Sequence, residues 1–552
     1  MVALAAINAS VWFVGASQAK HLKLAEEVFG VGNPILKLIR RFMAEDAQHV
    51  VFNEQHFVML MRLLITGGSP SVGFRDLTDA EVNALTTAMI GIGSHRASGL
   101  DPQTDLANPK SWVPAMARMG LYFDRSNLGS DQGRARALFV DLFQDLAKGS
   151  DNWCDLSAWM CEDLGPFDEQ LAFATAMGAF SRCLDEDLPL TKRLITTKTD
   201  ELLSGQMPPG VVDRFVTGIS ASREELAEHF EEAGTDRDHV LWDRAPFERR
   251  PFLRLEDGRL LLLGPRFLRS WMGEGFYYRL LDSARERKPP KGRSRTSALR
   301  FTRLHGELME RYVLRLTEDA HEVQRRAGVV RVAGERPYTG EDGSESYSPD
   351  LVLSYGAELV AVEVTGGRPA RKARVLSEPT AMLNALDRVI GKLRELDSAI
   401  KSMLDGYAVI DGVDLTLLRR LWPVVVVPSE LFQNDLLWAH IDARAPDLFL
   451  DARVQLPTLF SIEDYERILG VVEQGHGLPS LLAARNASLY RTMPPASFLA
   501  RHFPGNHRPS YLDQQMRKAG EDVHRALFDG SELAATTEAS ASPRLEFRQQ
   551  PV

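Results

Sequence analysis

Between residue 20 and about residue 235, apolar side chains recur at spacings of three and four, as in Phe57, Leu60, Met61 and Leu64 and again in Leu138, Leu142, Phe143 and Leu146. That is the period of a helix with one buried stripe, and it predicts a mainly helical N-terminal part. Thr78 with Glu81, and Ser222 with Glu225, have the spacing of capping boxes and mark two helix starts. Gly67-Gly68-Ser69-Pro70 and Met207-Pro208-Pro209-Gly210 punctuate the helices and divide the region. Near Trp242 the texture changes. Pro251 to Leu255 and Leu260 to Leu263 flank Glu256-Asp257-Gly258, an acidic-glycine turn that predicts a β-hairpin. A helix from Trp271 to Ala284 follows.

The order over residues 299–428 is helix, strand, strand, strand, helix, strand. Leu299 to Leu316 is helical, and Val329 to Tyr338 is the first strand. Asp350 to Ser354 and Leu359 to Val364 are two further strands around Tyr355-Gly356, and Glu378 to Leu404 is a long amphipathic helix. The apolar run Pro423 to Pro428, bounded by prolines, reads as a buried strand. Beyond it Ser461 caps a helix that runs to Gln474, with Gly475 placed as its C′ residue, and a second helix follows from Leu478. The predicted fold class is therefore multidomain. A helical part (1–238) is followed by a small β-hairpin and helix element (239–284), a basic linker (285–298), an α/β core (299–430), a helical C-terminal extension (431–529) and a polar tail (530–552) predicted to be disordered.

Composition narrows the class. With 44% apolar and 25% charged residues the chain of 552 residues is ordinary globular protein. Lys and Arg total 65 against 75 Asp and Glu, a net charge of −10, so any surface for a polyanion must be local. One such place is Arg285 to Arg303, with eight basic residues and one acid. It reads either as a solvated tether or as an arm touching phosphates through Lys288, Lys291, Arg293 and Arg295. Cys154, Cys161 and Cys183 are too few and too clustered for a disulfide framework or a four-ligand zinc site, which suits a reducing compartment. The apolar opening Met1 to Ala16 lacks the basic start of a signal peptide, and no apolar run is long enough to span a bilayer. A soluble cytoplasmic protein is expected.

The chemistry sits in the hairpin. If Tyr355 to Glu358 form its loop, Ser354 faces Leu359, and counting outward sets Asp350 opposite Glu363. Directly opposed side chains have Cβ atoms roughly 4.5–5.5 Å apart, so two carboxylates would share one place and repel unless a cation lies between them. A hard divalent ion such as Mg²⁺ or Mn²⁺ meets that need. Glu363 interrupts an apolar stretch, where an unpartnered carboxylate is costly. Glu310, on the preceding helix beside the Leu304, Leu308, Tyr312 stripe, is positioned as a third acid.

Gly306-x-x-Met309-Glu310-x-Tyr312, Pro349-Asp350 and Glu363-x-Thr365 resemble the motifs of the restriction-endonuclease-like, or PD-(D/E)XK, nuclease superfamily over residues 299–428. The resemblance implies metal-dependent hydrolysis of nucleic acid, with DNA as the substrate, Asp350 and Glu363 as metal ligands and Glu310 as an auxiliary acid. It also implies a lysine two residues past the second acid, where this chain has Thr365, whose hydroxyl cannot supply the positive charge. Lys392, midway along the helix after the strand, is the better substitute, and Lys372 is the other. Arg368, Arg371 and Arg374 after the strand would hold the nucleic-acid backbone. The rival reading is a nuclease fold retained without catalysis, binding nucleic acid, a protein partner or a second copy of itself. No Walker loop, dinucleotide fingerprint, His-Glu-x-x-His or nucleophile elbow is present. The helical N-terminal half would gate or target the nuclease, an arrangement suited to bacterial defence.

Overall fold

A computed structural model describes residues 54–67, 128–146, 209–232, 244–272, 274–287, 296–341, 343–370, 378–428, 433–505 and 507–528, with shorter pieces such as 152–156 and 196–197. These fall into two compact units, neither continuous in sequence: residues 1–94, 155–286 and 517–552 make one, residues 95–154 and 287–516 the other.

In the first unit the acidic-glycine turn does what its residues demand. Gly258 takes φ +80°, a conformation open to glycine, and Leu255 N donates to Arg259 O at 2.8 Å. Phe252–Arg254 and Leu260–Leu262 then pair antiparallel with Leu253 opposite Leu261. Two strands the helical period hid, Thr196–Thr197 and Ser220–Ala221, flank that hairpin in a four-stranded sheet. The Ser222 capping box is complete: Glu225 N donates to Ser222 Oγ at 3.2 Å, and Ser222 N to Glu225 Oε2 at 2.7 Å. The helix expected from Trp271 to Ala284 is two helices, Pro265–Met272 and Glu274–Glu286. Glu81, the capping partner of Thr78, lies outside the described residues, as do Cys161 and Cys183.

The second unit starts with helix α1 (Leu128–Arg136), which continues through a π-helical turn, Ala137–Asp141, to Leu146. Helix α2 (Ser297–Ala320) opens on Thr296, whose side chain accepts from Leu299 N. The expected strand Val329 to Tyr338 divides into β1 (Arg331–Gly334) and β2 (Pro337–Thr339), the latter paired with β3 (Glu345–Tyr347) in a separate ribbon. The hairpin strands are β4 (Leu351–Ser354) and β5 (Glu358–Val364). Helix α3 (Pro379–Leu404) follows, started by Glu378, which accepts from Thr380 N and Ala381 N. Strand β6 (Arg420–Val427) is longer than its bounding prolines suggested; Pro423 falls just before pairing with the last strand begins at Val424. After helix α4 (Asp435–Arg444) comes β7 (Thr458–Ser461), a short strand that Ser461's capping signal concealed. Helices α5 (Ile462–Glu473), α6 (Leu478–Asn486) and α7 (Pro495–His502) follow, and α8 (Ser510–Phe528) begins in this unit and passes at Arg517 into the first.

The sheet has the order β7-β6-β5-β4-β1, antiparallel from β1 to β5 and parallel from β5 to β7. Alternation along the strands decides which helix meets which face. Val352, Leu359, Ala361, Leu421, Val425 and Leu459 point to one side and form a single apolar core with Leu386, Val389, Ile390, Leu393 and Ile400 of α3 and Leu437 and Ile441 of α4. The alternate residues, including Val360, Val362 and Val364, are equally buried and lie toward α2 and α5 on the other face. The protein is thus a mixed α/β chain of two units. Among the described residues no helix is long and apolar enough to cross a membrane.

Candidate active site

The hairpin register is the one the turn spacing gives. Ser354 pairs with Leu359 and Leu351 with Val362, so the next position outward sets Asp350 against Glu363. The turn is tight, with Tyr355 N donating to Glu358 O at 2.9 Å and Gly356 at φ +75°. Asp350 bends across the end of the ladder, where its Oδ2 accepts from Val364 N at 2.6 Å. Glu363, 7% exposed, shares the parity of Leu359 and Ala361 and so faces α3.

Helix α3 answers it. Leu386, Val389, Ile390, Leu393 and Leu396 make its buried stripe, and Lys392 stands at the margin of that stripe. From there Nζ reaches Glu363 Oε1 at 2.8 Å and Glu395 Oε2 at 2.7 Å. Burial alone would lower the Lys392 pKa, but Glu363 and then Glu395 more than reverse this, and the amine is held charged, above its ordinary range.

Helix α2 brings the third acid from the other face, because it packs closely on the end of β5. A Cβ built on Gly366 would lie 2.2 Å from Gly306 Cα, so no side chain fits between strand end and helix. His305, fully buried beside this contact, has Nδ1 3.1 Å from Gly366 O; burial and then Arg368 push its pKa down to about 3. One turn further along α2, Glu310 is pushed up to about 8, first by burial and then by the charges of Asp350 and Glu335, with Lys392 opposing. Glu363 is pushed up to about 7 by burial and by Asp350. Asp350 is raised by burial, with the Val364 N–H working against the shift. Burial is the largest cause of all three shifts, and for Glu310 and Glu363 the charge of neighbouring carboxylates adds to it.

Glu335 and Glu395 join the cluster without any sequence signal. Glu335 lies between β1 and β2, and Glu395 one helical turn beyond Lys392. Their places depend on how the ribbon and α3 approach the sheet, which no local pattern encodes. Thr365 does not fill the lysine's role; its N–H donates to Val426 O and its hydroxyl accepts from Gly367 N, fixing the turn after β5. Arg368, expected to meet a nucleic-acid backbone, is instead only 8% exposed and lies near His305. Lys372, Arg371, Arg374, Lys288, Lys291, Arg293 and Arg295 lie outside the described residues.

The donor set is all oxygen, with hard anionic ligands in excess of their counter-charge, which is the chemistry a Mg²⁺ or Mn²⁺ ion takes. Among the described residues no three such side chains are gathered tightly enough to hold a metal as they stand. Mutual repulsion of the carboxylates opposes such gathering until a cation is present.

No protein-family model, no curated protein and no solved structure matches the chain.

Proposed function

We propose that the second unit carries a metal-dependent phosphodiesterase site of the PD-(D/E)XK kind, acting on nucleic acid, with DNA the substrate to test first. The observation that carries this reading is the Lys392 amine 2.8 Å from Glu363, with Asp350 and Glu310 electrostatically coupled to the same place. The order helix, strand, hairpin, helix, strand in α2, β1, β4, β5, α3 and β6 supports it as well. In this reading Lys392 takes the place of the lysine that Thr365 does not supply, reaching the second acid from the following helix.

Asp350, Glu363 and Glu310 would hold the ion. Bound there, Mg²⁺ or Mn²⁺ supplies Lewis acidity toward a phosphate oxygen and lowers the pKa of a water. The chain's own contribution is positional and electrostatic. Lys392 donates toward the attacking water and toward charge developing on the phosphate, while Glu363 fixes where that amine points. Glu395, more exposed, keeps the amine protonated without entering the site.

A second reading has its own support: Lys392 is already satisfied by two carboxylates, as a structural ion pair would be, so the fold would bind nucleic acid or a protein without cutting. Plasmid incubated with the purified protein and Mg²⁺, beside Glu363→Ala, separates them. Cleavage by the parent alone supports the enzyme, and cleavage by neither sinks it. Calorimetric titration with Mg²⁺ or Mn²⁺ tests the carboxylates without a substrate. That the first unit gates or targets such a site in a cytoplasmic defence protein extends the proposal to biology by analogy.

A further inference from the structure

From Gln474 to Ser510 the chain contains no Asp or Glu, although the whole sequence is acidic; this segment holds four arginines and three histidines. It begins where α5 stops. Ser461, at the start of α5, pairs with Val427 one row past the Val426–Val364 pair, so it lies at the Glu363 end of the sheet. Twelve helical residues at 1.5 Å each carry the chain roughly 18 Å from there. The outer end of α5, with Gln474 and His476, is therefore removed from the carboxylates, whereas Ala496 at the start of α7 returns to Asp464 in the first turn of α5.

Its rings form a connected array. Phe498, buried, is the anchor: His502 stacks on it at 4.7 Å with a 36° tilt, and Phe503 and Tyr490 meet it edge-on at 6.2 Å. His476 extends the array through Phe503 at 5.0 Å. His476 and His502 are exposed, and Tyr490 and Phe503 half-exposed. Gly475, at φ +98°, is what turns His476 out of the helix toward Phe503. Arg491 and Arg501 are exposed beside these rings, and neither guanidinium has an ion-pair partner among the described residues.

We infer that this face, Tyr490, Arg491, Arg501, His502, Phe503 and His476, is a binding surface for single-stranded nucleic acid. Unpaired cations in an acid-free segment match a phosphate backbone, and exposed rings next to them in sequence match unstacked bases. A duplex keeps its base faces covered and could use only the cations; an acidic peptide would leave the rings without a partner. The inference stands independently of the metal site, since it requires no hydrolysis.

The test is fluorescence anisotropy of a labelled oligothymidine with the full chain in EDTA, where no cleavage competes. Arg491→Glu with Arg501→Glu is expected to weaken binding at least about tenfold. It should also reduce the slope of log affinity against log salt by about 1.4, at roughly 0.7 per lost single-strand contact. Tyr490→Ala is expected to weaken it about tenfold, within the range of one lost base stack. All substituted side chains are at least partly exposed, and a melting curve checks each variant. Absent binding by the parent, or unchanged affinity in the arginine variant, overturns the inference. Equal competition by duplex or by inorganic polyphosphate overturns the single-strand assignment. Oligonucleotide binding with these sensitivities but no plasmid cleavage in Mg²⁺ upholds this surface and rejects the catalytic reading alone.

Discussion

Lys392 Nζ lies 2.8 Å from Glu363 Oε1, joining the middle of helix α3 to the end of strand β5 across a gap that Thr365 leaves without a cation. The two residues are far apart in sequence but meet because α3 must lay its apolar stripe on the face to which Glu363 points.

Lys392→Met tests this pair directly. It removes the amine that faces Glu363, so cleavage under saturating Mg²⁺ is expected to fall on the order of 10²–10³-fold, the size of losing one preorganised donor. Glu363 would also be left buried without its partner, at a cost of about 1–3 kcal/mol, to be read from urea denaturation. Undiminished cleavage by a folded Lys392→Met protein would remove the lysine from the mechanism.

The raised Glu310 carboxyl gives a pH signature. Its pKa moves from 4.5 to about 8 on folding. Between those values the folded state binds a proton that the unfolded state does not, so without metal stability falls as pH rises through the interval. Glu310→Gln is expected to flatten that fall, with the variant's advantage greatest above about pH 8 and vanishing near pH 4.5. Mg²⁺ should raise the melting temperature of the parent most at the alkaline end, where the cluster is ionised, and much less for Asp350→Asn. Melting curves at stepped pH, with Mg²⁺ or EDTA, decide both points.

Gly366→Ala should act through α2. Its new Cβ would meet the Gly306 backbone at 2.2 Å, and backbone cannot rotate away, so the helix carrying Glu310 must shift. A loss of about 1–3 kcal/mol is expected from such overpacking, together with weaker Mg²⁺ binding. Gly391→Ala on α3 is the control: nothing stands within 4 Å of its added Cβ. In a helix interior that exchange stabilises by about 0.5–1 kcal/mol.

Behind the site, Arg134 of α1 is held by Glu466 of α5 through two hydrogen bonds of 2.6 and 2.8 Å, and Tyr312 of α2 donates to the same carboxylate at 2.8 Å. Glu466→Ala leaves a buried guanidinium with Asp131 as its nearest acid, and a loss of about 3 kcal/mol is expected. Chemical denaturation measures it. An unchanged midpoint would mean that the three helices do not depend on this network.

Features governed by neighbours in sequence were legible before any coordinates. The Glu256-Asp257-Gly258 turn, the Ser222 and Ser461 caps, the Gly475 helix end and the Ser354–Leu359 register each depend on a few adjacent residues and one backbone preference. Counting from that register placed Asp350 against Glu363, and the lysine that the family resemblance implies but Thr365 replaces made Lys392, with Lys372, a candidate substitute. Features that depend on distant neighbours were hidden. Strand β7, four residues long, pairs with β6 in parallel, so no turn announces it. Strand β2 looked like a continuation of β1, and its partner β3 gave no signal. Arg368 reads as a surface cation because nothing local says that it is buried near His305.

The sequence by itself determined where several helices and turns begin, which side chains share a strand face, and that Asp350 and Glu363 lie at the same end of one hairpin, since these follow from chain stereochemistry and from the two periods of hydrophobic burial. Only the tertiary structure decided that Lys392 reaches Glu363, that Glu335 and Glu395 add to the charge there, and that the Arg134–Glu466 pair ties α1 to α5. Those contacts are set by how helices pack on the sheet, and packing is fixed by the shape of the whole core rather than by any one segment of it.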